Sequence, residues 1–437
     1  MARMIGMLLA VACSGPAAAG QERMSYLDNG RVRLGVNLGL GGSITYISAG
    51  DGKENVVNNH DWGRQVQMSF YSGPVPFAPG GKQPAKAWSR LGWNPIQSGD
   101  YFGHRAKVLE HRNDGNTIYV KCVPMQWPLN DEPGECTFEV WIELRANAAQ
   151  VRSRLNNARS DKTFYDARGQ ELPAVYTNGA YWRLMTYTGD KPFTGDKLVR
   201  IDRKLEEGGW AHAMASENWA ALVNDDEWGL GVYSPGNCRF SGGFHGTPKG
   251  PGTDPTGYIS PVLREIIDHN IVYEYRYTLI LGPLKDIRQW VYDNAPRPAA
   301  PQWTFLKDRQ HWYYINASDQ GWPIRGELDV SLEKDDPQLI SPDFFCPAEL
   351  APRLRIEAAF RTAQKSAQVF WKTSDRPFSA ELRTNFAIEG DGNFRVYEVK
   401  LAGHPQYKGV ITGLRIDPVG SAEKDASVRV KSVSLTK

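Results

Sequence analysis

Short runs that alternate apolar with polar residues recur along this chain from Arg31 to its end, and one stretch only repeats like a helix. A strand sends successive side chains to opposite faces, whereas a helix repeats every ~3.6 residues. In RQVQMSFY, 64–71, Val66, Met68 and Phe70 alternate with Gln65, Gln67 and Ser69. The first set therefore faces a core, and the second, with Tyr71, faces away. Amides, an arginine and a tyrosine on that second face are unusual for a surface that meets only water. The same alternation marks TIYVKCV (117–123), CTFEVWIEL (136–144), AQVRSRL (149–155), WAALV (219–223), WGLGVY (228–233) and IVYEYRYTLIL (271–281). The helical exception is LKDIRQWVYDN, 284–294, which precedes the breaker-rich PRPAAPQ. Without a strand–helix rhythm, a parallel α/β fold is excluded and an all-β chain expected.

The chain is long enough for two or three cores. The expected layout is a signal segment over 1–20, a large two-sheet β-sandwich over 21–295, a linker at 296–302 and a smaller β-sandwich over 303–437. The signal reading rests on Arg3, the apolar stretch from Met4 to Ala12 and the small residues ending at Gly20. It implies a secreted or periplasmic protein. No later stretch has transmembrane length. A net charge of +2 without a basic block argues against nucleic acid as a partner. Cys122 and Cys136 lie in neighbouring strand-like runs, where either a hairpin disulfide or two buried thiols would fit. Seven short strand signals between Gly326 and Leu435 give the second unit the size of a compact sandwich.

LGLGGSITYIS, 38–48, followed by NHDWGRQVQMSFY, 59–71, resembles the opening of the galactose-mutarotase-like (aldose-1-epimerase-related) super-β-sandwich of carbohydrate-active enzymes. The resemblance would cover about residues 25–295. It implies sugar binding on one face of a large sheet. Two spaced histidines and a late glutamate, the familiar epimerase pattern, do not map onto this chain. The tail FAIEGDGNFRVYEVKLAGHPQYKGVITGLRIDP, 386–418, looks like the jelly-roll modules attached to such enzymes.

No HExxH, Cys/His cluster or EF-hand loop occurs, so no metal and no cofactor is expected. The chemistry must come from carboxyls, histidines and aromatic rings. Asp61 and Glu171 are the candidate catalytic carboxyls, with His245 in support. Arg64, Tyr71, Trp88, Trp93, His104 and Tyr258 are candidate substrate contacts, the tryptophans as planes on which sugar rings stack. Glu217 and Glu265 stand in reserve. Glu171 is expected in an ordered loop, and 241–258 in a long glycine-rich one.

Export, an all-β chain and aromatic-bearing loops together favour work on a polysaccharide or oligosaccharide. The leading expectation is a glycoside hydrolase, which needs carboxyls about 5.5 Å apart for retention or about 6.5–9.5 Å for inversion. The alternative is a polysaccharide lyase using Tyr or His, with Arg on a uronic acid. A second alternative is a glycan-binding protein without catalysis.

Overall fold

The structure, a computed structural model, describes residues 23–50, 54–202, 209–249, 254–297 and 299–437. The expected signal segment lies outside these. The architecture is all-β, a large super-β-sandwich followed by a smaller sandwich, with one α-helix at Leu284–Asn294. The chain divides into two compact units. The first is 1–160, 170–262 and 272–295; the second is 161–169, 263–271 and 296–437.

In the first unit, a nine-stranded antiparallel sheet has Ala148–Asn157 between Cys136–Arg145 and Val272–Pro283. A seven-stranded sheet runs in the order Ala211–Met214, Arg239–His245, Thr256–Glu265, Arg168–Asn178, Gln67–Ser69, Pro95–Ile96 and Met125–Gln126. The sheets meet where the alternation says they should. Phe70 packs on Phe138, Tyr273 and Tyr275 with ring centroids 5.5, 5.9 and 6.3 Å apart. A Cβ at Gly257 would lie 2.6 Å from Leu222 Cδ1 of the opposite sheet. Glycine there lets the two backbones approach.

That use of glycine corrects the expected loop at 241–258. Arg239–His245 and Thr256–Glu265 are paired strands, with Gly243 opposite Tyr258 and His245 opposite Thr256. Glu171 likewise sits in a strand, Arg168–Asn178, not a loop. Its Pro173, after a cis peptide bond, lies where the register slips between Glu171↔Ser69 and Ala174↔Gln67. An irregularity absorbs the missing N–H of a proline inside a sheet.

The amides of the opening stretch also find their use here. Gln67–Ser69 pairs with Pro95–Ile96 only at Ser69↔Ile96, and proline has no N–H to give. Side chains complete the ladder. Met68 N donates to Gln97 Oε1 at 3.1 Å, Ser98 N to Gln67 Oε1 at 3.1 Å, and Tyr71 N to Gln170 Oε1 at 2.8 Å. Gln65 and Gln67 donate to the carbonyls of Asp61 and Gly63. Buried backbone groups must be paired, and glutamine can satisfy a donor and an acceptor at once. Replacing Gln97 by Leu strands Met68 N and the Gly41 carbonyl that Gln97 Nε2 reaches. The expected loss, read by denaturant unfolding, is about 2 kcal/mol.

The second unit packs two sheets of six strands over a core that includes Trp303, Phe305, Trp312, Phe360 and Trp371. Ala167 and Ile266 join that core although they come from earlier in the chain. Around Arg309, only 5% exposed, two carboxylates close: Asp268 accepts at 2.5 and 3.3 Å and Asp319 at 2.6 and 2.7 Å. Neither unit is therefore one continuous segment, and 303–437 alone would lack Asp268 and Ile266. The four described cysteines, Cys122, Cys136, Cys238 and Cys346, are all buried and free, so the hairpin disulfide is not formed.

Candidate active site

On the face of the seven-stranded sheet that points away from the core, Glu171 is opposite Ser69, and Tyr71 lies one strand step along. The Tyr71 hydroxyl donates to Glu171 Oε2 at 3.0 Å. Tyr258, wholly buried, stacks its ring on Tyr176 at 4.7 Å and on Trp210 at 4.8 Å. Its hydroxyl also faces Glu171. Three tyrosines thus surround one carboxyl.

Burial raises the pKa of Glu171, and the Tyr71 and Tyr258 hydroxyls offset only part of that rise. Desolvation penalises the charged form, while a donated hydrogen bond favours it. Burial, and then the charge of Glu171, push Tyr71, Tyr176 and Tyr258 up as well. The cluster therefore holds its protons. Arg64 opposes the rise at Tyr176, which places the guanidinium beside the same ring.

Arg64 belongs to the turn that Asn58 organises by accepting from the amides of His60 and Asp61. Arg64 NH1 donates to Asp61 Oδ2 at 3.2 Å and to the Asp254 carbonyl at 2.8 Å. Asp61 Oδ2 also accepts from Asn58 Nδ2 at 2.8 Å. Oδ1 takes only a share of the Asp254 amide, at 3.2 Å, so among the described residues it keeps an open lone pair. His245 Nε2 stands 3.5 Å from Asp254 Oδ1. Asp61, Arg64, Tyr71, Glu171, His245 and Tyr258 are thus linked through Asp254 and Tyr176 on adjoining strands and their turns.

Other candidates are placed differently. Trp93 is 0% exposed, with Arg159 over its ring at 5.6 Å, so it offers no plane to a ligand. His104 is exposed, its Nδ1 2.8 Å from Asp100 Oδ2. Asp100 also accepts from the amides of Phe102, His104 and Asp131, which ties down that loop. Trp88 packs edge-on against Tyr101 and Trp127. Neither reserve carboxylate is available. Burial alone would raise Glu217, but bonds from Arg288, the Phe193 amide, Tyr292 and Trp219 outweigh it and hold the carboxyl below its usual value. Glu265 bonds His311 Nδ1 in the second unit.

Sequence reading passed over Tyr176, Trp210 and Asp254. Tyr176 could have been found by continuing the alternation of its strand across the slip at Pro173. Among the described residues, no group of three or more His, Cys, Asp or Glu could hold a metal ion, and no helix is long and apolar enough to cross a membrane.

The fold and site define a two-sheet sandwich with a tyrosine-enclosed carboxyl on the outer face of one sheet. No family model matches the chain, and no curated protein does. Among solved structures, a putative aldose 1-epimerase from Escherichia coli K12 is similar at 11% identity and a TM-score of 0.37, over 59% of this chain and 98% of that one. A galactose mutarotase related enzyme from Lactobacillus acidophilus is similar at 12% identity and 0.38, over 59% and 97%. A galactose mutarotase-like protein from Lactobacillus casei stands at 12% and 0.38, over 59% and 99%. The relationship is distant and one of architecture.

Proposed function

We propose that this protein is an exported glycoside hydrolase acting on a polysaccharide or oligosaccharide, with Glu171 as its general acid. The observation that carries the reading is Glu171 itself, a carboxyl kept protonated by burial and hydrogen-bonded to Tyr71 in the middle of a sheet face. A general acid works best with a pKa lifted toward the operating pH. In the proposed reaction Glu171 gives its proton to the glycosidic oxygen as the C–O bond breaks. Water adds at the anomeric carbon, and Asp61 takes its proton through the open lone pair on Oδ1. Arg64 keeps Asp61 oriented, and Tyr176 and Tyr258 border the sugar.

The lyase reading is weaker on two counts. A lyase tyrosine must lose its proton to serve as base, and burial with Glu171 nearby works against that at Tyr71 and Tyr258. Arg64 is already paired with Asp61 and near Asp254, at 3.2 and 3.9 Å, which leaves little net positive charge for a uronic carboxylate.

The test is incubation with neutral and uronic polysaccharides, read by reducing ends and by ultraviolet absorbance of unsaturated products. New reducing ends without that absorbance support the proposal. Unsaturated products decide for a lyase, and binding without either product decides for a glycan-binding protein.

The pH profile gives a second check. Activity should fall as pH rises through the raised pKa of Glu171, because the acid form is lost. The Tyr71 hydrogen bond lowers that pKa, so Tyr71→Phe should move the alkaline limb to higher pH. Stability has the same sign. A raised native pKa stabilises the fold below the unfolded-state value, and that contribution disappears as pH rises through the native value. An alkaline limb that stays in place in Tyr71→Phe would count against the assignment.

A further inference from the structure

Glu171 does not stand at the end of its sheet face. Two strands to one side, counting from the Arg168–Asn178 strand toward Arg239–His245, the rings of Tyr258 and Trp210 stack. On the other side, beyond Gln67–Ser69, Pro95–Ile96 and Met125–Gln126, a second aromatic group closes around Trp127. Trp127 meets Trp88 at 6.0 Å and Tyr101 at 5.9 Å, and Tyr101 meets Phe102 at 5.4 Å, all edge to face.

This group belongs to the same face. A Cβ on Gly63 would lie 2.5 Å from the Trp127 ring. The Gly63 carbonyl accepts from Gln67 Nε2, and Gln67 points away from the core with Ser69 and Tyr71. Phe102 is 48% exposed. The Trp88 indole N–H has no hydrogen-bond partner among the described residues. Edge-to-face packing leaves ring faces uncovered, and an unpaired donor beside them suits a hydroxyl-bearing ligand.

We infer that this face is an extended cleft for a neutral glycan chain, with aromatic subsites on both sides of Glu171 and internal (endo) cleavage. From the strand of Tyr258 to the strand before Trp127 there are four strand intervals, a span of about 19 Å that accommodates roughly four sugar rings. A site for one terminal sugar would need aromatic contacts on one side only. Neutrality follows from the carboxylates that already match Arg64. The inference rests on the carbohydrate reading above but not on hydrolysis.

The experiment measures binding of cello-oligosaccharides, mixed-linkage β-glucan oligosaccharides and oligogalacturonides of two to six residues to the full chain by calorimetry. Glu171→Gln serves as the non-turning-over form, and Phe102→Ala, at an exposed ring, is made alongside. For a neutral series, affinity should rise at least tenfold between two and four or five residues and then level. Phe102→Ala should weaken the longer oligosaccharides about tenfold and leave the dimer unchanged. Products of the wild type should be internal fragments. Length-independent affinity, preference for the oligogalacturonides, binding of none of the three series, or equal effects of Phe102→Ala on short and long chains would each overturn the inference. Binding that grows with length in a protein that releases no product would leave the cleft standing and remove the hydrolase.

Discussion

Glu171→Gln should lower turnover at least 100-fold while leaving oligosaccharide binding within a few-fold of wild type. Glutamine keeps the shape and can still accept from the Tyr71 hydroxyl that now bonds Oε2, but it has no proton to give a leaving oxygen. Losing a general acid removes the roughly 10²–10⁴-fold that positioned proton transfer contributes. The fold should tolerate the change, because the carboxyl is held neutral by burial and a neutral amide replaces it. Stability should then lose the part of its pH dependence that comes from ionising Glu171, so the variant should gain on wild type as pH rises. Turnover within threefold of wild type would remove Glu171 from the chemistry, whatever else the site does.

The second large effect concerns stability. Arg309→Leu should destabilise the second unit by about 3–5 kcal/mol, the usual cost of breaking a buried ion pair by removing one partner. Asp268 and Asp319 would both be left facing each other without their common cation. Tyr314, which donates to Asp319 at 3.0 Å, cannot replace it. Arg309→Lys should recover part of the loss, since one ammonium cannot serve both two-point bonds that the guanidinium makes. A fragment cut at 303–437 should fold poorly for a related reason, because Asp268 and Ile266 belong to a segment it lacks. Denaturant unfolding of the full chain, followed by the fluorescence of Trp303, Trp312 and Trp371, reads the first effect. A change below 1 kcal/mol in Arg309→Leu would mean that the network is incidental.

These networks mark where the sequence was legible and where it was not. Strands declared themselves wherever one face met the core. Val66, Met68 and Phe70 point inward as their alternation requires, Thr117–Val123 and Trp219–Val223 begin and end where their patterns do, and the helix occupies Leu284–Asn294. The pattern failed where backbone needs overrode it. Pro173 resembles a loop residue, yet a slip in register admits it to a central strand and carries Glu171 with it. Gly242 and Gly257 resemble loop glycines because close packing of two sheets also demands a missing side chain. The glutamines that drew attention as sugar ligands are ladder donors and acceptors, a role that depends on a partner strand with Pro95 in it. Trp93 fell to the core for want of any local sign that separates a buried tryptophan from an exposed one. Arg64 and Tyr71 kept their outward positions, and Tyr71 found its partner a hundred residues away, where no local pattern could point.

The most direct measurement of the central claim is the ionisation of Glu171 itself. Carbon-13 NMR of the glutamate side-chain carboxyls across a pH titration, with Glu171→Gln identifying the signal, would follow it in the intact chain. The account predicts a midpoint above the ordinary glutamate value, moving higher still in Tyr71→Phe. A midpoint at or below the ordinary value, or one that Tyr71→Phe leaves unmoved, would contradict it.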